Sequence, residues 1–159
     1  MTHHPASSLP KEAEALQGRP AGLVSRGVAA AIDAVVVAAV LLAMYVAVAG
    51  ALFVWNPRSF SLPSWSGIVT LTSAWLVAVV YLTAGWWTAG RSCGCTVMGL
   101  RVVGRRYGGL RFLQALVRAA VCTFFPIGLA WSVVDPRSRA VHDIVVRSQV
   151  VYDWGHREP

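Results

Sequence analysis

The chain has 159 residues, 56% of them hydrophobic and only 13% charged, and its 14 Lys and Arg outweigh 7 Asp and Glu for a net charge of +7. Soluble domains carry about 25% charged residues, so this balance and a mean hydropathy of +0.57 point to one domain solvated partly by lipid. Nucleic-acid binding is not expected, because no recognition motif accompanies the cations, which flank apolar runs as topology determinants and as contacts to anionic lipid headgroups.

Residues 1–20 read as a disordered cytoplasmic tail, with Pro5, Pro10 and Pro20, the pair His3–His4 and no periodicity. Residues 21–152 read as the membrane domain, and 153–159 as a C-terminal tail. The first apolar run starts near Leu23–Ser25 and ends before Pro57. From Gly27 to Pro57 its one charged side chain is Asp33. Its length exceeds the roughly 20 residues a bilayer requires. Ala47-Val48-Ala49 resembles a leader cleavage site, but the apolar region before it is too long and contains Asp33, so cleavage is not expected.

The cluster Asn56-Pro57-Arg58-Ser59 breaks the run, and Phe53, Trp55, Phe60 and Trp65 crowd this end as an interfacial belt would. A second uncharged run extends from Ser59 to Gly90, with its span expected from about Gly67 and Trp86–Trp87 marking the far interface. A basic segment follows, in which Leu100–Val103 reads as a short strand and Tyr107-Gly108-Gly109 as a turn. The third run, 112–134, contains Gln114 and Arg118 and is interrupted by Pro126 and Gly128. A second strand-like run is Ser148–Tyr152. Gly90, Gly94 and Gly99 are expected to allow close backbone approach at the exit of the second span.

The expected fold is therefore an all-α membrane protein: two full transmembrane helices, a third Pro/Gly-broken segment and a small cytoplasmic two-stranded β element. The third segment is either a re-entrant hairpin or a third span. With the N-terminus inside and a full third crossing, eight cations lie inside (Lys11, Arg19, Arg26, Arg91, Arg101, Arg105, Arg106, Arg111) and five outside (Arg58, Arg137, Arg139, Arg147, Arg157). If the third run folds back, twelve lie inside and one outside, which fits the positive-inside rule better and lets the two strands pair.

Arg26-x6-Asp33, the stretch Gly90-Arg91-Ser92-Cys93-Gly94-Cys95, and Asp135-x3-Arg139-x2-His142-Asp143 together resemble the RDD family of small membrane proteins, named for one arginine and two aspartates. The resemblance places Arg26 and Asp33 as the arginine and first aspartate, and Asp143 as the second. Where the family shows Gly-Gln-Thr-x-Gly-Lys, Arg91 replaces the glutamine, Ser92 the threonine and Cys95 the lysine. It implies a multi-pass protein of the bacterial plasma (inner) membrane acting in transport, with cation/proton exchange attached to some members.

Asp33 is the residue on which a mechanism would turn, since an acid inside a span is expensive and has a partner or a task. Arg26 shares its helix face but lies about 10 Å along the axis by helical rise, so Arg118, the cation inside the third run, is the expected partner. Such a pair reads either as a structural lock or as part of an ion or proton path. Asp135, Arg139, His142 and Asp143 read either as a second charged site or as a capped amphipathic helix. Ser138, His142 and Asp143 lack a nucleophile elbow, so no enzyme is expected. Cys93, Cys95 and His142 make no full ligand set, so neither a metal nor a cofactor is expected. Two or three spans cannot enclose a pathway, so a transporter would be a homo-oligomer or would join a membrane partner. The alternative is a non-transporting accessory or scaffold protein.

Overall fold

A computed structural model describes residues 17–104, 109–125, 143, 146 and 148–153. Two long apolar helices dominate it: α1 (Leu23–Trp55, 33 residues) and α2 (Gly67–Thr88, 22 residues). At 1.5 Å per residue they measure about 50 and 33 Å, so both have the length and composition to cross a bilayer. A single 3₁₀ turn, Pro57–Ser59, follows α1, and Ser66 caps α2 by accepting a hydrogen bond from the Val69 N–H. Then come the five-residue helix α3 (Cys93–Val97), the strand β1 (Leu100–Gly104), the helix α4 (Phe112–Phe124) and the strand β2 (Ser148–Tyr152).

The two strands pair antiparallel, from Leu100 opposite Tyr152 to Gly104 opposite Ser148, as the fold-back arrangement anticipates. The other edge of β2 is covered by the segment leading into α1. Gly18 N–H donates to the Tyr152 carbonyl, Tyr152 N–H to Arg19, and Ala21 N–H to Val150. The end of the expected disordered tail is therefore held in place, because those backbone groups satisfy an otherwise open strand edge. Asp153, expected in the C-terminal tail, is likewise tied down by its N–H on the Gly99 carbonyl. The start of α1, the exit of α2 and the sheet thus gather at one end of the molecule.

The third apolar run begins as α4, whose 13 residues span about 20 Å. Its remainder, including the expected break at Pro126–Gly128, lies outside the described residues, as do Tyr107 and Gly108.

Burial in α1 is inverted relative to a water-soluble helix. Its buried residues are Arg26, Ala29 and Asp33, so both of its charged side chains are inside. Val35, Leu42, Val54 and Trp55 are exposed. The core is small and sits at the sheet end, where Leu100, Val102 and Val150 meet Ala21, Ala29, Leu82 and Ala115.

Candidate functional site

The segment after α2 turns back sharply, with Gly90 at φ 68° in the left-handed region, and delivers α3 against α1. There Gly94 packs so closely that a Cβ at this position would overlap the Ala29 carbonyl oxygen. This approach sets the first turn of α3 on Asp33. The Gly94 N–H donates to Asp33 Oδ1 at 2.8 Å. The Cys95 N–H donates to Ser92 Oγ, whose hydroxyl donates to Asp33 Oδ2 at 2.5 Å. The Cys93 N–H donates to the Tyr81 hydroxyl, which donates to Asp33 Oδ1 at 2.7 Å. Three successive N–H groups, the orphan donors of a helix start, therefore end on one carboxylate, directly or through one hydroxyl.

This arrangement corrects the expected Arg118–Asp33 pair. Among the described residues, no cation forms an ion pair with Asp33. A carboxylate that receives one N–H and two hydroxyls at a helix start is compensated without a cation.

Arg118 instead joins the other charged cluster. Asp143, fully buried, takes Arg26 Nη1 on Oδ2 at 2.6 Å and Arg118 Nη1 on Oδ1 at 2.5 Å. Arg118 Nη1 also donates to Ser148 Oγ at 2.7 Å, and that hydroxyl donates to Asp143 Oδ1 at 3.3 Å. Arg26 and Arg118 are only 5% and 2% exposed. The Arg118 guanidinium lies 4.6 Å from the centre of the Trp86 ring, close enough for a cation–π contact. Trp86, expected at the interface, is thus turned inward; Trp87 is exposed and packs edge-on against Phe112. This cluster ties α1, α4 and β2 together.

Of the residues singled out in the sequence, Arg26, Arg118 and Asp143 form one site and Asp33 a second. Asp135, Arg139 and His142 lie outside the described residues. Tyr81, Ser92, Trp86 and Ser148 were missed. Two of them left a trace: Tyr81 is the lone tyrosine of the second run, and Ser92 stands three residues before Cys95 at N-cap spacing.

Between α1, α2 and α4 lies an open cavity of about 590 Å³. Arg26, Arg118 and Trp86 line one end, Asp33 and Cys95 its middle, and Val37, Leu41 and Trp75 the other end. Cys122, on α4, is also in the lining.

A model of the RDD family matches residues 20–147, which include both charged clusters. The chain belongs to the RDD family. No curated protein and no solved structure matches it. In this RDD protein the arginine and the second aspartate are ion-paired, while the first aspartate anchors α3.

A third charged group is peripheral. Asp153 Oδ2 receives Arg91 Nη2 at 2.7 Å and Arg101 Nη1 at 3.3 Å, with these side chains partly exposed. Exposed pairs contribute about 0–1 kcal/mol, so Asp153→Asn is expected to lower the melting temperature only slightly, and less at high salt. Thermal unfolding in detergent at low and high ionic strength checks this.

Proposed function

We propose that this protein is integral to the bacterial inner membrane, with α1 and α2 crossing the bilayer, the N-terminus cytoplasmic and the third run folding back. We further propose that it acts as a transporter, or a transporter subunit, for a small solute or ion. The membrane reading is supported by the inverted burial of α1 and by the RDD assignment. Fold-back is supported by the sheet: β1 follows α2 and β2 follows the third run, and the two pair at the end where α1 begins.

The observation that carries transport is the cavity, because apolar walls with a charged floor are what a membrane-embedded solute site requires. Asp33 is the group through which protons would act on it. Protonation would set an O–H among three donors and weaken the hold of α1 on α3, whose Cys95 lines the cavity. Two spans do not enclose a path, so the working form is a homo-oligomer or a complex with a membrane partner. The second reading, an accessory or scaffold protein, draws on the bonding of Asp33, whose two oxygens already accept three hydrogen bonds within the chain.

The test is reconstitution into liposomes loaded with a pH-sensitive dye and challenged with sodium, potassium or chloride gradients. Wild type is expected to dissipate a gradient, and Asp33→Asn to lose that activity while remaining assembled. Folded wild type that is silent under all three gradients overturns ion transport and favours the accessory reading.

A further inference from the structure

Three buried N–H donors, Arg26 Nε, Arg118 Nε and Trp86 Nε1, have no hydrogen-bond partner among the described residues, and all three side chains line the same cavity. Thr83 Oγ1, one turn away on α2, is a fourth unpartnered atom but lies outside the lining. Burying a donor unpaired costs about 1–3 kcal/mol, and a cluster of such groups calls for a missing partner. None of the three can accept a hydrogen bond, so the partner must bring acceptor atoms. Among the described residues, moreover, two guanidinium groups share one carboxylate here.

We infer that this cavity binds an anionic amphiphile, with a carboxylate or phosphate headgroup at the Arg26–Arg118–Trp86 end and an alkyl chain running toward Leu41 and Trp75. The inference names the solute class for the cavity read above as the working site. The three N–H groups are closed to solvent, so the headgroup engages them only after the Trp86 ring and the guanidinium groups shift to bring them to the cavity surface. Ala30, Ala34 and Ala38 recur every fourth residue along α1 and leave a smooth channel for the chain. A volume of about 590 Å³ suits a single-chain ligand. Asp33 does not oppose it, since both of its oxygens are turned to Tyr81, Ser92 and Gly94. A metal cation would meet two guanidinium groups at the floor. A helix from a second copy would bring backbone carbonyls already bonded within itself, and so no acceptor for the orphan donors.

Native mass spectrometry of the full chain in nonionic detergent tests this with four probes at equal concentration: oleate, 1-oleoyl lysophosphatidate, monoolein and inorganic phosphate. One oleate or lysophosphatidate per chain is expected to be retained, about tenfold better than monoolein, in keeping with the strength of a charge-assisted hydrogen bond. The better of the two identifies the headgroup. Inorganic phosphate is expected to be lost. Trp86→Phe keeps the ring over Arg118 but removes one orphan donor, and should weaken anionic retention about tenfold without changing that of monoolein. Ala34→Phe at an exposed position should block chain-bearing probes while the protein still folds. Equal retention of monoolein, retention of phosphate alone, or wild-type retention by both variants overturns the inference. So does disulfide-linked dimer formation by Ala38→Cys that displaces oleate. Retention of oleate by a protein silent in the gradient assay removes inorganic-ion transport and leaves this inference standing; gradient dissipation without anionic preference does the reverse.

Discussion

Asp143→Asn is expected to destabilise the protein by about 3–5 kcal/mol, the usual cost of removing one partner from a buried ion pair. The carboxylate is fully buried and holds Arg26 and Arg118 at 2.6 and 2.5 Å. An amide of the same shape supplies one acceptor oxygen in place of two and turns its NH₂ toward a guanidinium. Two cations would then stay in a low-dielectric interior with no paired counter-charge among the described residues. The stabilisation comes from compensation rather than from the charges themselves, and a second variant separates the two. Arg26→Met, Arg118→Met and Asp143→Leu together remove every charge of the cluster. This triple variant is expected to melt close to wild type, because apolar replacement of a buried ionic cluster is often neutral or stabilising. Thermal unfolding in detergent reads both. The single-variant loss should be nearly independent of salt, since buried pairs are screened much less than exposed ones.

Much of this architecture is legible in the sequence because lipid and backbone chemistry constrain it strongly. The two long apolar runs give α1 and α2, and the Val-rich segments give β1 and β2 with their pairing. What could not be read is which charge meets which. Arg118 and Asp33 are the lone ions of their respective runs, so matching by depth pairs them. The true partner depends on β2 carrying the chain back beneath α1, which brings Asp143 to Arg26 across 117 residues of sequence. Hydropathy reports no such return. Nor does it mark a five-residue helix, and without α3 there is no reason to expect a buried carboxylate to be compensated by N–H groups and hydroxyls. Cys95, where the family pattern has lysine, proves to line the cavity, a location that spacing alone does not disclose.

Gly94→Ala should be as damaging as loss of Asp143, although it adds one methyl group. The new carbon would overlap the Ala29 carbonyl oxygen and lie 2.8 Å from the Ala29 carbonyl carbon and 3.0 Å from Asp33 Cγ. Overpacking a tight contact costs about 1–3 kcal/mol, and here the cost does not end with the clash. The two nearest obstructing atoms are backbone, so no rotamer change in a neighbour relieves the clash; α3 must move off α1. That movement lengthens the hydrogen bonds from Gly94 N–H and Ser92 Oγ to Asp33, leaving a buried carboxylate short of donors, which adds about 1–3 kcal/mol or more. Gly50→Ala is the internal comparison, since its Cβ would meet nothing within 4 Å. Within α1 it should be neutral or stabilising by up to about 1 kcal/mol. Fluorescence-detected size-exclusion chromatography of heated samples should therefore show early loss of the Gly94→Ala peak and retention of the Gly50→Ala peak. Equal behaviour of the two would mean that α3 is not seated on Asp33, and the carboxylate would then need another source of compensation.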